Sequence, residues 1–207
     1  FKMNENDYGM DISFKSPDNS FKSLLSLIPG MYTKSFGSIE TKGELALAGF
    51  VKGTYSEKQM PAFNLNMVVK DAMFKYPELP TAINNINLDL LVDNKDGIID
   101  HTTIDLKKLH LDFGANPVDA RARITALYPT NLDAEISAAL NLAEVDKMFP
   151  LEGLDMKGNY ALNLKAQGVY DSIKGSIPAI NAAMSLADGY VKSSEFPVPI
   201  EDIHFSS

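Results

Sequence analysis

Apolar and polar residues alternate with period two over most of this chain. Leu45, Leu47, Gly49 and Val51 fall on one side of such a pattern. Phe63, Leu65, Met67 and Val69 fall on one side of the next, with Asn64 and Asn66 between them. Ile86, Leu88, Leu90 and Val92 repeat it against Asn87 and Asp89. Further along come Ile104 with Leu106, then Leu109 with Leu111 and Phe113, then Ala120, Ala122, Ile124 and Ala126. Leu132, Ala134, Ile136, Ala138 and Leu140 alternate with Asp133, Glu135 and Ser137. Tyr160, Leu162, Leu164 and Ala166 keep the same order, as do Ile180, Ala182, Met184 and Leu186. Successive side chains of a strand point to opposite faces. The pattern therefore predicts antiparallel sheet with one greasy face and one wet face.

Turn residues separate these segments. Asn94-Lys95-Asp96-Gly97 predicts a tight hairpin, because Asp-Gly suits the positive φ angles of such turns. Gly114-Ala-Asn-Pro117 and Tyr128-Pro129-Thr-Asn131 mark the next two connections. Only two segments have helical spacing. One spans 19–28, where Asp18-Asn-Ser20 can cap Phe21, Leu24, Leu25 and Ile28 before Pro29 and Gly30 stop it. The other spans 141–148, with Leu142, Val145 and Met148 on one side and Pro150 just beyond.

Two stretches are one stretch written twice. Residues 42–86 align with 157–203 at an offset of about 115, matching at roughly 16 of 45 positions where chance gives about three. Both expected helices stand just before a copy of the repeated Lys-Gly strand, at Lys42-Gly43 and Lys157-Gly158. The most specific shared motif runs Asp71-Ala-Met-Phe-Lys-Tyr-Pro-Glu-Leu-Pro80 with Ile83 and Ile86. Its copy runs Asp188-Gly-Tyr-Val-Lys-Ser-Ser-Glu-Phe-Pro197 with Ile200 and Ile203. Pro interrupts ladder bonding and turns the chain, so the motif reads as a structural connection. Repetition of this kind stacks like units along one axis. The boundaries that follow are 1–41 as the end of a preceding unit, 42–156 as a complete unit and 157–207 as the truncated start of the next. The chain opens within one pattern at Phe1 and stops within another at Phe205, which reads as a piece of a longer protein.

The scarcity of helix changes the picture. A helix of two turns covers on the order of 200 Å², too little to shield a wide sheet, and exposed apolar surface costs about 25 cal/mol per Å². The apolar face must curl on itself, meet a second sheet or hold an apolar ligand.

Composition narrows the chemistry. The formal net charge is −8 and no basic run occurs, which argues against a nucleic-acid partner. There is no cysteine, so disulfides and thiolate metal sites are excluded. His101, His110 and His204 lack the convergent spacing of a metal site and read as surface residues. The pairs Asp96 with Asp100 and Asp133 with Glu135 read as solvating charge. No nucleophile triad, phosphate loop or metalloprotease motif is present in the sequence. Met67, Met73, Met148 and Met184 sit on apolar patterns, where methionine fills cores or lines adaptable grooves.

The order G-x-L-x-L-x-G-x-x-x-G-x-Y from Gly43, then Pro61-Ala-Phe, the Asp71 motif, Asp96-Gly-Ile-Ile-Asp100 and Gly114-Ala-Asn-Pro-Val118 resembles the AsmA family, in its Bacteroidetes type. The match covers Gly43 to about Pro150, with a weaker copy from Gly158. That copy has Ser193, Ser194, Glu201 and Asp202 where the first has Tyr76, Pro77, Asn84 and Asn85. The resemblance implies anchorage at the bacterial inner membrane, projection into the periplasm, and kinship with bridge-like lipid-transfer proteins that carry phospholipid along a β groove. It implies no catalytic residue.

The expectations are these. The fold is mainly β, an extended, curved antiparallel sheet of tandem repeats of about 115 residues with two short helices. The function is non-enzymatic binding or conduction of phospholipid acyl chains between inner and outer membranes, without cofactor or metal. The groove candidates are Leu45, Leu47, Leu65, Met67, Leu88, Leu90, Ile124, Ile136, Leu162, Leu164 and Met184. The alternative is a structural or protein-binding β module of the cell envelope.

Overall fold

In the computed structural model, which describes residues 7–16, 20, 40–57, 59–75, 81–148, 151–196 and 198–207, the chain forms one open sheet. Its ten strands are β1 (Tyr8–Lys15), β2 (Glu40–Tyr55), β3 (Ala62–Lys75), β4 (Ile83–Asn94), β5 (Thr103–Phe113), β6 (Asn116–Leu127), β7 (Thr130–Asn141), β8 (Leu154–Tyr170), β9 (Ala179–Ser193) and β10 (Ile200–Ser206). All are antiparallel and each pairs with its sequence neighbours. Among the described residues the helical elements are α1 (Leu142–Met148) and a single 3-10 turn (Ile99–His101).

The helix expected at 141–148 is present, and its start is set by a cap. Asn141 Oδ1 accepts from the Glu144 backbone N–H at 3.1 Å, satisfying one of the free donors of the first turn. Buried Asn116 ties this helix to the β5–β6 turn, donating to Phe113 O at 2.7 Å and Glu144 Oε2 at 2.8 Å. The helix expected at 19–28 lies outside the described residues except for Ser20, which bridges Glu44. Pro80, Pro150 and Pro197 also lie outside them.

The tight hairpin expected at Asn94-Lys95-Asp96-Gly97 is instead an eight-residue connection from Lys95 to Thr102. Gly97 does take a positive φ of 78°. The buried Asn94 side chain holds the longer loop open. It donates to Ile98 O at 2.7 Å and Thr102 Oγ1 at 2.9 Å, and accepts from the Gly97 N–H at 2.6 Å. The 3-10 turn it supports carries no sequence periodicity to announce it.

β-bulges keep the apolar residues on one side. The apolar spacing jumps from Leu106 to Leu109, which strict alternation would send to opposite faces. The register shifts between these two residues, in pairing with both β4 and β6, and restores them to one face. Other shifts fall at Gly43 and Gly158, with φ of 105° and 121°. Asp71, Asn85, Asp188 and Asp202 take φ between 46° and 54° at or beside further shifts. Asp and Asn tolerate this left-handed region better than most side chains.

The pairing of β2 with β3 recurs in β8 with β9. Leu45 faces Val69 and Leu47 faces Met67; at the aligned positions Tyr160 faces Leu186 and Leu162 faces Met184. The third strands follow suit, since Ala72 faces Ile86 and Gly189 faces Ile203. The backbone N–H of Asp71 donates to Asn87 Oδ1 at 3.3 Å, and that of Asp188 donates to His204 Nδ1 at 3.4 Å.

Among the described residues the sheet has little beneath it. The accessible surface is 13652 Å², against about 9,500 Å² for a compact monomer of this mass. Among the described residues the buried apolar side chains are Leu45, Val69 and Ala72, with Leu47, Met67, Phe74, Ile86 and Leu88 packed partly against them. The core is a local patch on β2–β4 rather than a layer.

Two glycines test the bulges. A Cβ on Gly43 would collide with the Ala72 backbone, and one on Gly158 would lie 2.9 Å from Ala187 O. Gly43→Ala or Gly158→Ala should each cost about 2 kcal/mol or more in urea unfolding. Gly9→Ala, in open space on β1, should stay within about 0.5 kcal/mol of the parent. Equal effects at all three sites would show that the bulges do not hold the register.

Candidate functional site

Residues directly opposite in an antiparallel pair project to the same face. The register therefore assigns each side chain to a face, strand by strand. Leu45, Val69, Leu88, Leu109, Ala120, Ile136, Leu164 and Ala182 form one unbroken row across eight strands. At about 4.8 Å per strand the row spans about 34 Å. A second row runs Leu47, Met67, Leu90, Leu106, Ala122, Ala134, Ala166 and Ile180. A third joins Leu65, Val92, Ile104, Ile124 and Leu132. A fourth joins Leu111, Val118, Ala138, Leu162 and Met184.

All the groove candidates read from the sequence, from Leu45 and Leu47 through Ile124 to Met184, thus lie on one side of one sheet. They are not equally placed. Leu45 is buried, Leu47, Met67 and Leu88 pack around it, and Ile136 and Met184 remain 40% and 36% exposed. Alternation identified the residues, but the depth of each depends on neighbours from other strands.

The relief of the face was not read from the sequence. Ala122, Ala134 and Ala166 meet side by side on β6, β7 and β8, with Leu106 before them and Ile180 after. Methyl groups on three adjacent strands leave a shallow trough between longer side chains. The signal was available as alanine at inward positions of consecutive segments, but it needed the register to align them.

The opposite face is charged and cross-linked. Arg121 Nη2 lies 2.8 Å from Glu135 Oε1, Lys165 Nζ lies 2.9 Å from the same oxygen, and Arg121 Nη1 lies 3.2 Å from Asp133. The two cations hold the Glu135 carboxyl down at about 2, Arg121 contributing most, and Glu135 in turn raises the Arg121 guanidinium. Asp133 and Glu135 are therefore rungs of a ladder across β6, β7 and β8. His110 Nδ1 lies 2.8 Å from Asp119 and its Nε2 lies 3.5 Å from Asp112. His101 Nδ1 lies 2.6 Å from Asp96, and this hydrogen bond is the main cause of the lowered Asp96 carboxyl. His204 lies across from Asp188 as described above.

A cavity of about 390 Å³ is walled by Lys107, Lys108, Asp119, Arg121, Glu135 and Lys165, among others. Four cations there could suggest an anion site. Glu135 already engages Arg121 and Lys165, and Lys107 reaches Asp89 at 3.5 Å, so the geometry favours a structural ladder. Among the described residues no three or more His, Asp or Glu side chains converge as a metal site. The arrangement as a whole separates an apolar surface from a charged one across a single sheet thickness.

Compared with family models, with characterised proteins and with solved structures, the chain matches none.

The ladder has a pH signature. Glu135 is depressed in the folded state, so its contribution is present above the ordinary glutamate range and is lost as pH falls from about 4.5 toward about 2. In acid titrations followed by circular dichroism, Glu135→Gln should flatten the loss of stability in that window. A variant with an unchanged acid limb would mean that the ladder carries no net stabilisation.

Proposed function

We propose that this chain is a segment of an AsmA-like β groove that holds phospholipid acyl chains on its apolar face. One observation carries the reading: the apolar rows run without a polar interruption across eight strands, and among the described residues no second layer covers them. At about 25 cal/mol per Å², such a face favours an apolar occupant over water. Acyl chains fit because they need shape and dryness rather than directed hydrogen bonds. The trough of Ala122, Ala134 and Ala166 supplies a shallow track, and headgroups stay in water at an open edge. No bond in the lipid needs to form or break.

Tandem units of about 115 residues belong to the same proposal. The shared register of β2–β3 and β8–β9, with left-handed residues at Asp71 and Asp188 and at Asn85 and Asp202, supports a six-strand period. Further units would continue the sheet as an extended, curved groove between the inner and outer membranes, with this part on the periplasmic side. The family resemblance supplies that setting. Among the described residues no helix is long and apolar enough to cross a membrane, so in this proposal the anchor belongs to other parts of the protein.

The test is lipid retained by the purified chain, measured by native mass spectrometry. Parent protein should carry phospholipid. Ile136→Asp with Met184→Asp should reduce bound lipid at least about tenfold with little loss of stability, because both sites are already partly exposed. Leu65→Asp or Leu90→Asp should do the same where the fold survives. A folded double variant with undiminished lipid, or a parent protein with none, would leave the scaffold reading in its place.

A further inference from the structure

Connections of an antiparallel meander fall alternately at two rims, so the β2–β3, β4–β5, β6–β7 and β8–β9 connections share one rim. Each of these four presents a large apolar or aromatic residue to solvent. Met60 stands on the first, Ile98 and Ile99 on the second, Tyr128 on the third, and Ile173 and Ile177 on the fourth. Ile173 and Ile177 are 83% and 77% exposed. Tyr55 and Tyr170, at the strand ends just below, are exposed as well.

These tips are held in place. Ser56 and Gln59 exchange backbone hydrogen bonds at 2.8 and 3.4 Å beneath Met60. The Asn94 hydrogen bonds described above fix the loop that presents Ile98 and Ile99. Gly97 packs so closely on the Met60 carbonyl that no Cβ would fit. In the last hairpin Asp171 Oδ1 accepts from the N–H groups of Ile173 and Lys174, both at 3.0 Å, while Asp171 and Ser176 exchange backbone bonds at 3.0 Å. The Tyr128 hydroxyl donates to Asp171 Oδ1 at 3.4 Å, linking the third tip to the fourth. Ordering an exposed isoleucine has no benefit to the fold, since Ile173 and Ile177 cover little.

Hairpin tips two strands apart stand about 10 Å from one another, so the row spans about 30 Å. Separate projections of this spacing suit a fluid surface that closes around each one. A folded protein partner needs a continuous patch. Tyrosines just behind aliphatic tips match the polarity gradient of a bilayer interface. Charge does not drive the contact, because among the described residues this rim carries Glu57, Asp96, Asp100 and Asp171 against Lys95 and Lys174.

We infer that this rim is a membrane-contacting edge that takes a zwitterionic lipid surface, its apolar tips dipping between headgroups while the strands stand upright on the bilayer. The inference stands on the rim alone: it lays the row of strands along a bilayer, whereas the groove reading runs that row between two membranes, so each is tested separately. The experiment is sedimentation of the 207-residue chain with phosphatidylcholine vesicles, with and without phosphatidylglycerol. The chain should bind both, with less than about a twofold difference between them. Ile173→Ser with Ile177→Ser should lower the partition coefficient about tenfold. Phe196→Ser with Val198→Ser, on the opposite rim and also exposed, should change it less than about twofold. The chain has no tryptophan, so Ile177→Trp gives a single reporter whose emission should shift to the blue on adding vesicles. Failure to bind either vesicle, binding only with the anionic lipid, equal loss from the two double variants, or an unshifted reporter would each overturn it.

Discussion

The structure depends on keeping a period of two in step across ten strands. A slip of one residue in any strand would carry its apolar set to the charged face. Strict alternation cannot run that far, because the apolar spacing breaks at Leu106 to Leu109 and at Ile83 to Ile86. Each break coincides with a register shift that returns the later residues to the shared face. The left-handed Asn85 lies at the second of these, and Gly43, Asp71, Gly158, Asp188 and Asp202 take that role at other shifts. The bulges are thus corrections that make an unbroken surface possible.

Once the faces are separated, their chemistry diverges. The charged side is cross-linked in part, with Glu135 between Arg121 and Lys165 and His110 between Asp112 and Asp119. Exposed ion pairs of this kind stabilise only modestly. The apolar side has the reverse character. Its buried side chains cluster around Leu45, Val69 and Ala72, and the rest of the face is only partly shielded. Among the described residues no second layer covers the sheet, and a single layer is marginal by the usual measure of buried area. An apolar occupant of that face would therefore add to stability.

Much of this was legible along the chain. Alternation is a local property, so the strands, the composition of the two faces and the membership of the apolar side could be read from spacing alone. The helix starting after Asn141 was legible because capping is also local. The tight turn expected at Asp96-Gly97 was not realised. The competing interaction is the Asn94 side chain, whose partners lie as far away as Thr102.

Spacing along the chain is thus enough to establish sheet, an apolar face and the residues that belong to it. Each of those follows from neighbours two positions apart. Only the tertiary structure decided the rest. It set the order of ten strands in one open layer and brought the alanines of β6, β7 and β8 side by side. It paired Glu135 with cations fourteen residues before it and thirty residues after it. It also collected Met60, Ile98, Tyr128 and Ile173 onto one rim. These positions share no local pattern. They meet because the register of each strand is fixed by the strand beside it, and that information is carried by hydrogen bonds and packing across the sheet.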